Sequence, residues 1–214
     1  MPIFCEEPNL VAYAPYDMPE NFKMYRPGSL PLTYSSGGYL QFNSANSVSG
    51  VIVGLSSDYL KYDLGSLDLG SNFSIEMSVK GSALKRASGT YFLYNIGNIY
   101  LNQDTYNGNT RLKTGYSDTP ISGFHDLEEI PLNSLDNNEL SILDSSKFYR
   151  VVVKYDNTRP KIYIYDGNIQ ILVSNNLNSS NIPSGTLINL FIGSQSSMLR
   201  QWNDIIDSVK IYMN

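Results

Sequence analysis

The chain has 214 residues, 42% of them apolar and only 16% charged; at this length folding buries roughly two-thirds or more of the unfolded surface, so the core needs no staple. The formal net charge is −5, and the densest basic pair, Lys85-Arg86, is ordinary, which speaks against a phosphate-tracking nucleic-acid surface. One cysteine, Cys5, excludes an intramolecular disulfide, and one Cys with one His does not make a zinc site.

Strand signals recur at short intervals from the first residues onward. Leu10–Ala14 opens the series, followed by Tyr39–Phe42, Val51–Val53 and Tyr59–Tyr62. Phe73, Ile75, Met77 and Val79 alternate with polar residues, the period of two that marks a half-buried strand. Tyr91–Tyr94 and Ile99–Leu101 are expected to pair across Gly97-Asn98, and Asn107-Gly108 carries the signature of a type I′ hairpin turn. From Ser117 to Lys147 the pattern weakens, and a long irregular excursion is expected there; Asn133–Leu143 within it is the best, short, helical segment. Tyr149–Tyr155, Lys161–Tyr165, Ile169–Val173, Leu187–Ile192 and Ile205–Tyr212 complete the strands, with Arg159-Pro160 and Asp166-Gly167 as breaks.

Six of these pieces resemble a known family in order and content. Leu10-Val11-Ala12-Tyr13-Ala14-Pro15-Tyr16-Asp17, Tyr59–Tyr62 with Ser66–Leu69, Phe73–Lys80, Phe148–Asp156 with Lys161–Gly167, Leu190–Ser194, and Trp202-Asn203 with Ile206–Tyr212 resemble the laminin-G-like, concanavalin A-like jelly-roll domains. The resemblance implies an all-β, two-sheet antiparallel jelly-roll sandwich forming one domain over residues 1–214, with an irregular N-terminal segment, residues 1–9. Two departures sit near the last strand: Asp204 stands where the family has Gly, and Ser208 where it has a second Asp. Members of this family bind glycans, serve as adhesion or assembly modules, or carry glycoside-cleaving sites, so the fold alone does not choose a function.

Candidate residues follow from chemistry and from the resemblance. Tyr94, Tyr100, Tyr106 and Tyr116 lie around the hairpins and are candidates for stacking on sugars; the competing reading is core edge or sheet face. Members of the family often hold a loop calcium, for which Asp104, Asp118, Asp126 and Asp136 are the candidate oxygen ligands here; no EF-hand spacing supports them, Asn/Asp turn usage is the better explanation, and no cofactor is assigned. His125-Asp126-Leu127-Glu128-Glu129 is the one acidic cluster, read as a solvated loop rather than an acid/base pair. No nucleophile motif accompanies His125, so no catalytic residue is assigned. Trp202 is expected to pack. Asp207 shares strand parity with Ile205, Val209 and Ile211, so it is expected to point inward, ionised, holding backbone N–H groups of a neighbouring loop.

These readings favour a non-enzymatic binding or assembly module. The Asn- and Tyr-rich, weakly charged composition resembles bacteriophage virion proteins, which places the chain as a capsid-decoration, fibre or tail adhesion part with protein partners in an oligomer. A carbohydrate-binding protein, with cell-surface glycan as partner, is the alternative, and a glycoside-active enzyme comes third. Met1–Glu7 lacks the basic and apolar regions of a signal peptide, and no apolar run is long enough for a membrane helix, so virion or bacterial cytoplasm is the expected location.

Overall fold

The computed structural model describes residues 7–18, 21–37, 40–43, 50–54, 58–65, 67, 69–84, 88–106, 109–119, 122–132, 143–157, 159–183, 187, 189–195, 200–202 and 204–214. Sixteen strands and one helical turn occupy them: β1 (Leu10–Ala14), β2 (Tyr34–Gly37), β3 (Gln41–Asn43), β4 (Gly50–Ile52), β5 (Tyr59–Asp63), β6 (Phe73–Lys80), α1 (Gly81–Leu84), β7 (Gly89–Ile96), β8 (Ile99–Tyr106), β9 (Asn109–Thr119), β10 (Ser122–Pro131), β11 (Phe148–Asp156), β12 (Arg159–Asp166), β13 (Ile169–Val173), β14 (Asn175–Asn176), β15 (Asn189–Ile192) and β16 (Ile205–Met213).

They form two antiparallel sheets. Sheet I runs β13-β12-β11-β6-β16-β4-β3, with β1 also on β16, and sheet II runs β14-β10-β9-β8-β7-β15-β5-β2. This is the two-sheet antiparallel jelly-roll sandwich that the sequence implied. The first and last strands pair, Ala14 opposite Val209 and Leu10 opposite Tyr212.

Alternation positions the core. On β6, Phe73, Ile75, Met77 and Val79 are buried, while Glu76, Ser78 and Lys80 face away. On β11, Val151, Val153 and Tyr155 are buried opposite Leu93, Tyr94 and Leu101 of sheet II, in one continuous cluster. Each such side chain contributes roughly 1.5–3 kcal/mol by leaving water. Polar contacts rivet the layers together: the Tyr94 and Tyr155 hydroxyls lie 2.7 Å apart across the core, and those of Tyr16 and Tyr62 lie 3.0 Å apart. Trp202 is fully buried in the same cluster, as expected of a packing residue.

Three expectations change. The irregular excursion expected from Ser117 does not start there, because β9 continues to Thr119 and β10 returns from Ser122 to Pro131 as its hairpin partner. A bulge between Asp126 and Glu128 shifts the register, so apolar residues miss the period of two and the strand reads as unpatterned. Most of the short helical segment, residues 133–142, and the Asn107-Gly108 turn lie outside the described residues. Arg159-Pro160 begins β12 instead of separating two strands.

Asp207 is the third change. A bulge between Ile206 and Ser208 breaks the parity argument, and Asp207 hydrogen-bonds the side chain of Ser78 on the outer side of β6. Burial raises its pKa, the Ser78 bond opposes this, and the nearby Asp17 adds to it. Its environment therefore favours the neutral acid more than water does, whereas the expected backbone donors would have favoured the ionised form.

Candidate functional site

The tyrosines proposed as a sugar platform do not make one together. Tyr94 points into the core and is fully buried. Tyr100 is also fully buried, packed edge-on against Phe92 and Phe124, with its hydroxyl donating to Asp126 at 2.6 Å. Neither presents a ring face to a ligand arriving from solvent. Tyr116 is half-buried and stacks on His125 at 4.6 Å. Tyr106 ends β8, and its side chain lies outside the described residues.

The candidate calcium ligands are also engaged elsewhere. Asp104 and Asp126 converge on the ammonium of Lys113, 3.0 and 2.8 Å away, so a side-chain cation already fills the space between them. Asp118 pairs with His125 at 3.0 Å, and Asp136 lies outside the described residues. Among the described residues no three Asp, Glu, His or Cys side chains gather as a metal-binding group. The acidic cluster Asp126–Glu129 sits on β10, so the loop context expected for it was wrong.

The outer face of sheet II is thus a closed lattice of polar contacts. Thr90 donates to Asp104 at 2.7 Å, Arg111 bridges Asp104 and Glu129, and Arg200 lies 5.6 Å over the Phe124 ring. Gly115 permits the close approach of β10: a Cβ there would stand 1.9 Å from the His125 carbonyl oxygen. Burial pulls the Asp104 carboxyl up, but the Thr90 hydroxyl and Lys113 outweigh it and hold Asp104 below its ordinary pKa.

The outer face of sheet I is different. Alternation in Lys161-Ile162-Tyr163-Ile164-Tyr165 sends both isoleucines into the core and leaves both tyrosines half-exposed on the outside. Pairing with β11 sets Arg150 beside Tyr165, Val152 beside Tyr163 and Lys154 beside Lys161. The Arg150 guanidinium lies 4.5 Å over the Tyr165 ring, and the Lys154 ammonium lies 5.4 Å from the Tyr163 ring centre. This row was missed in the sequence, although the same alternation that marks Ile162 and Ile164 as core marks the tyrosines as outward.

Two hollows meet on this face at Lys154. One, of 410 Å³, runs along the edge where the chain passes from β13 in sheet I to β14 in sheet II; Tyr163, Lys161, Arg159, Glu128, Asn176 and Asn178 line it with Lys154. The other, of 250 Å³, lies between Arg150, Glu76, Tyr165, Tyr212 and Asn9. Glu128 is buried in the first, accepting from Ser174 Oγ at 2.5 Å and pairing with Lys161 at 3.1 Å. In the second, burial raises the Glu76 pKa against the opposing pull of Arg150 and Lys210. Glu7, hydrogen-bonded by Lys210 at 2.6 Å and by the Tyr212 hydroxyl, is held below its ordinary value by those two bonds.

With one half-exposed ring, amide side chains, a buried carboxylate and cations around one hollow, the edge groove has the composition of a small polar-ligand site. No family model and no curated protein matches the chain. Solved structures do match in shape. Domain 4 of AbnA, a GH43 extracellular arabinanase from Geobacillus stearothermophilus, in complex with arabinotriose, superposes with a TM-score of 0.54 at 16% identity, covering 98% of this chain and 94% of that one. The exoplasmic/lumenal domain of VIP36 in its Ca2+/Man2-bound form gives 0.57 at 13% identity, covering 96% and 88%. The enzymatically active domain of bacteriophage CBA120 tailspike protein 2 gives 0.59 at 12% identity, covering 85% of this chain but only 28% of that one. At these identities the likeness establishes the lectin-like jelly-roll fold and leaves function to the site.

Proposed function

We propose that this chain is a glycan-binding module without catalytic activity, serving attachment within a larger assembly such as a virion. The observation that carries this is the edge groove, where the half-exposed Tyr163 stands among Asn176, Asn178, Lys154 and Lys161 in 410 Å³. A ring gives the apolar patch of a sugar a surface to rest on, while amides and charged groups fix its hydroxyls. Three structural neighbours add support by analogy: one holds arabinotriose, one Man2, and one belongs to a phage tailspike. The lattice on sheet II speaks for the non-catalytic part, since Asp104 and Asp126 share one lysine and Asp104 titrates low. A general acid needs the opposite shift.

Titration calorimetry of the isolated protein against neutral and acidic oligosaccharides tests the reading, with Tyr163→Ala expected to lose binding while keeping its fold. Failure of every saccharide to bind at about millimolar concentration would end it. One observation favours a hydrolytic reading: Glu76 is pushed up while nearby Glu7 is held low, a split that acid/base pairs exploit. Reducing-sugar release abolished by Glu76→Gln would establish that reading in place of the first.

A further inference from the structure

We infer that the edge groove selects anionic saccharides, with Lys154 and Lys161 closing on a carboxylate or sulfate of the ligand; the inference rests on the glycan-binding reading above. The argument starts from register. Lys154 and Lys161 are direct cross-strand partners on β11 and β12, and both line the groove. Like charges directly opposite on a sheet are destabilising, and chains avoid the arrangement unless something else is gained. Here the repulsion is only half relieved. Lys161 pairs with Glu128, but that carboxylate is buried and also accepts from Ser174. Lys154 is exposed, its ammonium lies near the Tyr163 ring, and among the described residues no carboxylate pairs with it.

A third cation extends the same rim. Arg159 donates to the Asn181 side chain at 3.0 Å and to the Ser179 carbonyl at 3.0 Å, so neutral groups orient its guanidinium without cancelling its charge. Asp156, its cross-strand partner, also lines the groove and accepts from the Asn157 amide at 3.1 Å, so its charge remains at the rim as well. Three cations, Lys154, Lys161 and Arg159, and two carboxylates, Glu128 and Asp156, line the groove, so its balance is +1 in a chain whose net charge is −5. An anionic group seated between Lys154 and Lys161 would remove the repulsion, and the Tyr163 ring beside it would receive the sugar.

The probes are sialyllactose and its methyl ester, a heparin-derived hexasaccharide and its desulfated form, and lactose. Binding is measured by calorimetry at low and at roughly physiological salt. At least one anionic probe is expected to bind about tenfold or more tightly than its neutralised counterpart, and to weaken as salt rises. Lys154→Met should erase that difference. Because it removes the like-charge pair, the same variant should unfold at an equal or higher temperature than the wild type without ligand. If neutralised probes bind as well as anionic ones and Lys154→Met changes neither, charge selection falls while saccharide binding stands. If no probe binds, both readings fall. If the anionic probes bind Tyr163→Ala as well as the wild type, the attraction is unspecific and the inference is overturned.

Discussion

The outer faces of the two sheets are built from the same residue types and reach opposite ends. On sheet II, Lys113 is met by Asp104 and Asp126, Arg111 by Asp104 and Glu129, and Tyr100 by Asp126. Each of these cations has a carboxylate partner, and the aromatic rings of Phe92, Tyr100 and Phe124 cover one another. On sheet I, Lys154 stands opposite another lysine, and Tyr163 and Tyr165 keep partly exposed rings beside two hollows. Most charges on sheet I are paired too, Arg150 with Glu76 and Lys210 with Glu7, so the contrast rests on Lys154 and the two tyrosine rings, which keep interactions in reserve for a partner.

Substitutions can break this contrast or sharpen it. The largest effect is expected from Lys113→Met, which leaves two carboxylates facing each other in a poorly hydrated site and should cost about 2–4 kcal/mol. Chemical denaturation measures the loss, and adding Asp104→Asn should restore part of it. Saccharide affinity of the folded fraction should not move; if it does, the sheet II face belongs to the site. Tyr155→Phe comes next, because it strands the buried Tyr94 hydroxyl, 2.7 Å away, with one partner fewer. A loss of about 1–2 kcal/mol in the same assay is expected. Lys154→Met, on the open face, should shift stability by no more than about 0.5 kcal/mol while changing binding as described above. A large loss of stability there would mean that the face is as closed as its counterpart.

The smallest effect concerns Asp207. Because its pKa is higher in the folded chain than in the unfolded one, the folded chain holds that proton more tightly. The group's contribution is therefore most favourable below the unfolded value of about 4 and is lost as pH rises through the folded value. Asp207→Asn should raise the melting temperature slightly at neutral pH, and the gap should close in acid. A variant less stable than wild type at pH 7 would show that the ionised carboxylate makes a net stabilising contact.

How much of this was legible in the sequence depends on where the strands run evenly. Phe73–Val79 alternates without interruption, so its buried face could be read directly, and the family-like motifs at Leu10 and Ile206 marked both terminal stretches as strands; their pairing came only with the structure. β10 and Asp207 were misread for one shared reason: a bulge adds a residue, and every parity argument beyond it inverts. Tyrosine caused the other error. A ring with a polar tip is equally suited to a core with a hydroxyl partner and to a sugar-facing surface, so Tyr94 and Tyr163 look alike until their neighbours are known. The cross-strand meeting of Lys154 and Lys161 needs the register of β11 on β12, which no single strand's pattern contains.

The union of β1 with β16 also decides how this protein would carry a mechanical load. Leu10 lies opposite Tyr212, the Met213 amide donates to the Asn9 carbonyl, and Glu7 is anchored to Lys210 and Tyr212, so both ends of the described chain leave the sandwich at one place. Traction applied between those ends would meet the Glu7 anchor first and then the β1–β16 hydrogen bonds in succession, as a zipper opens, instead of shearing them all together. Traction between one end and a ligand in the edge groove would instead cross β16, β6, β11 and β12 side by side. From the N-terminal end the β1–β16 bonds would stand first in that line; from the C-terminal end β16 itself would pass the load into β6.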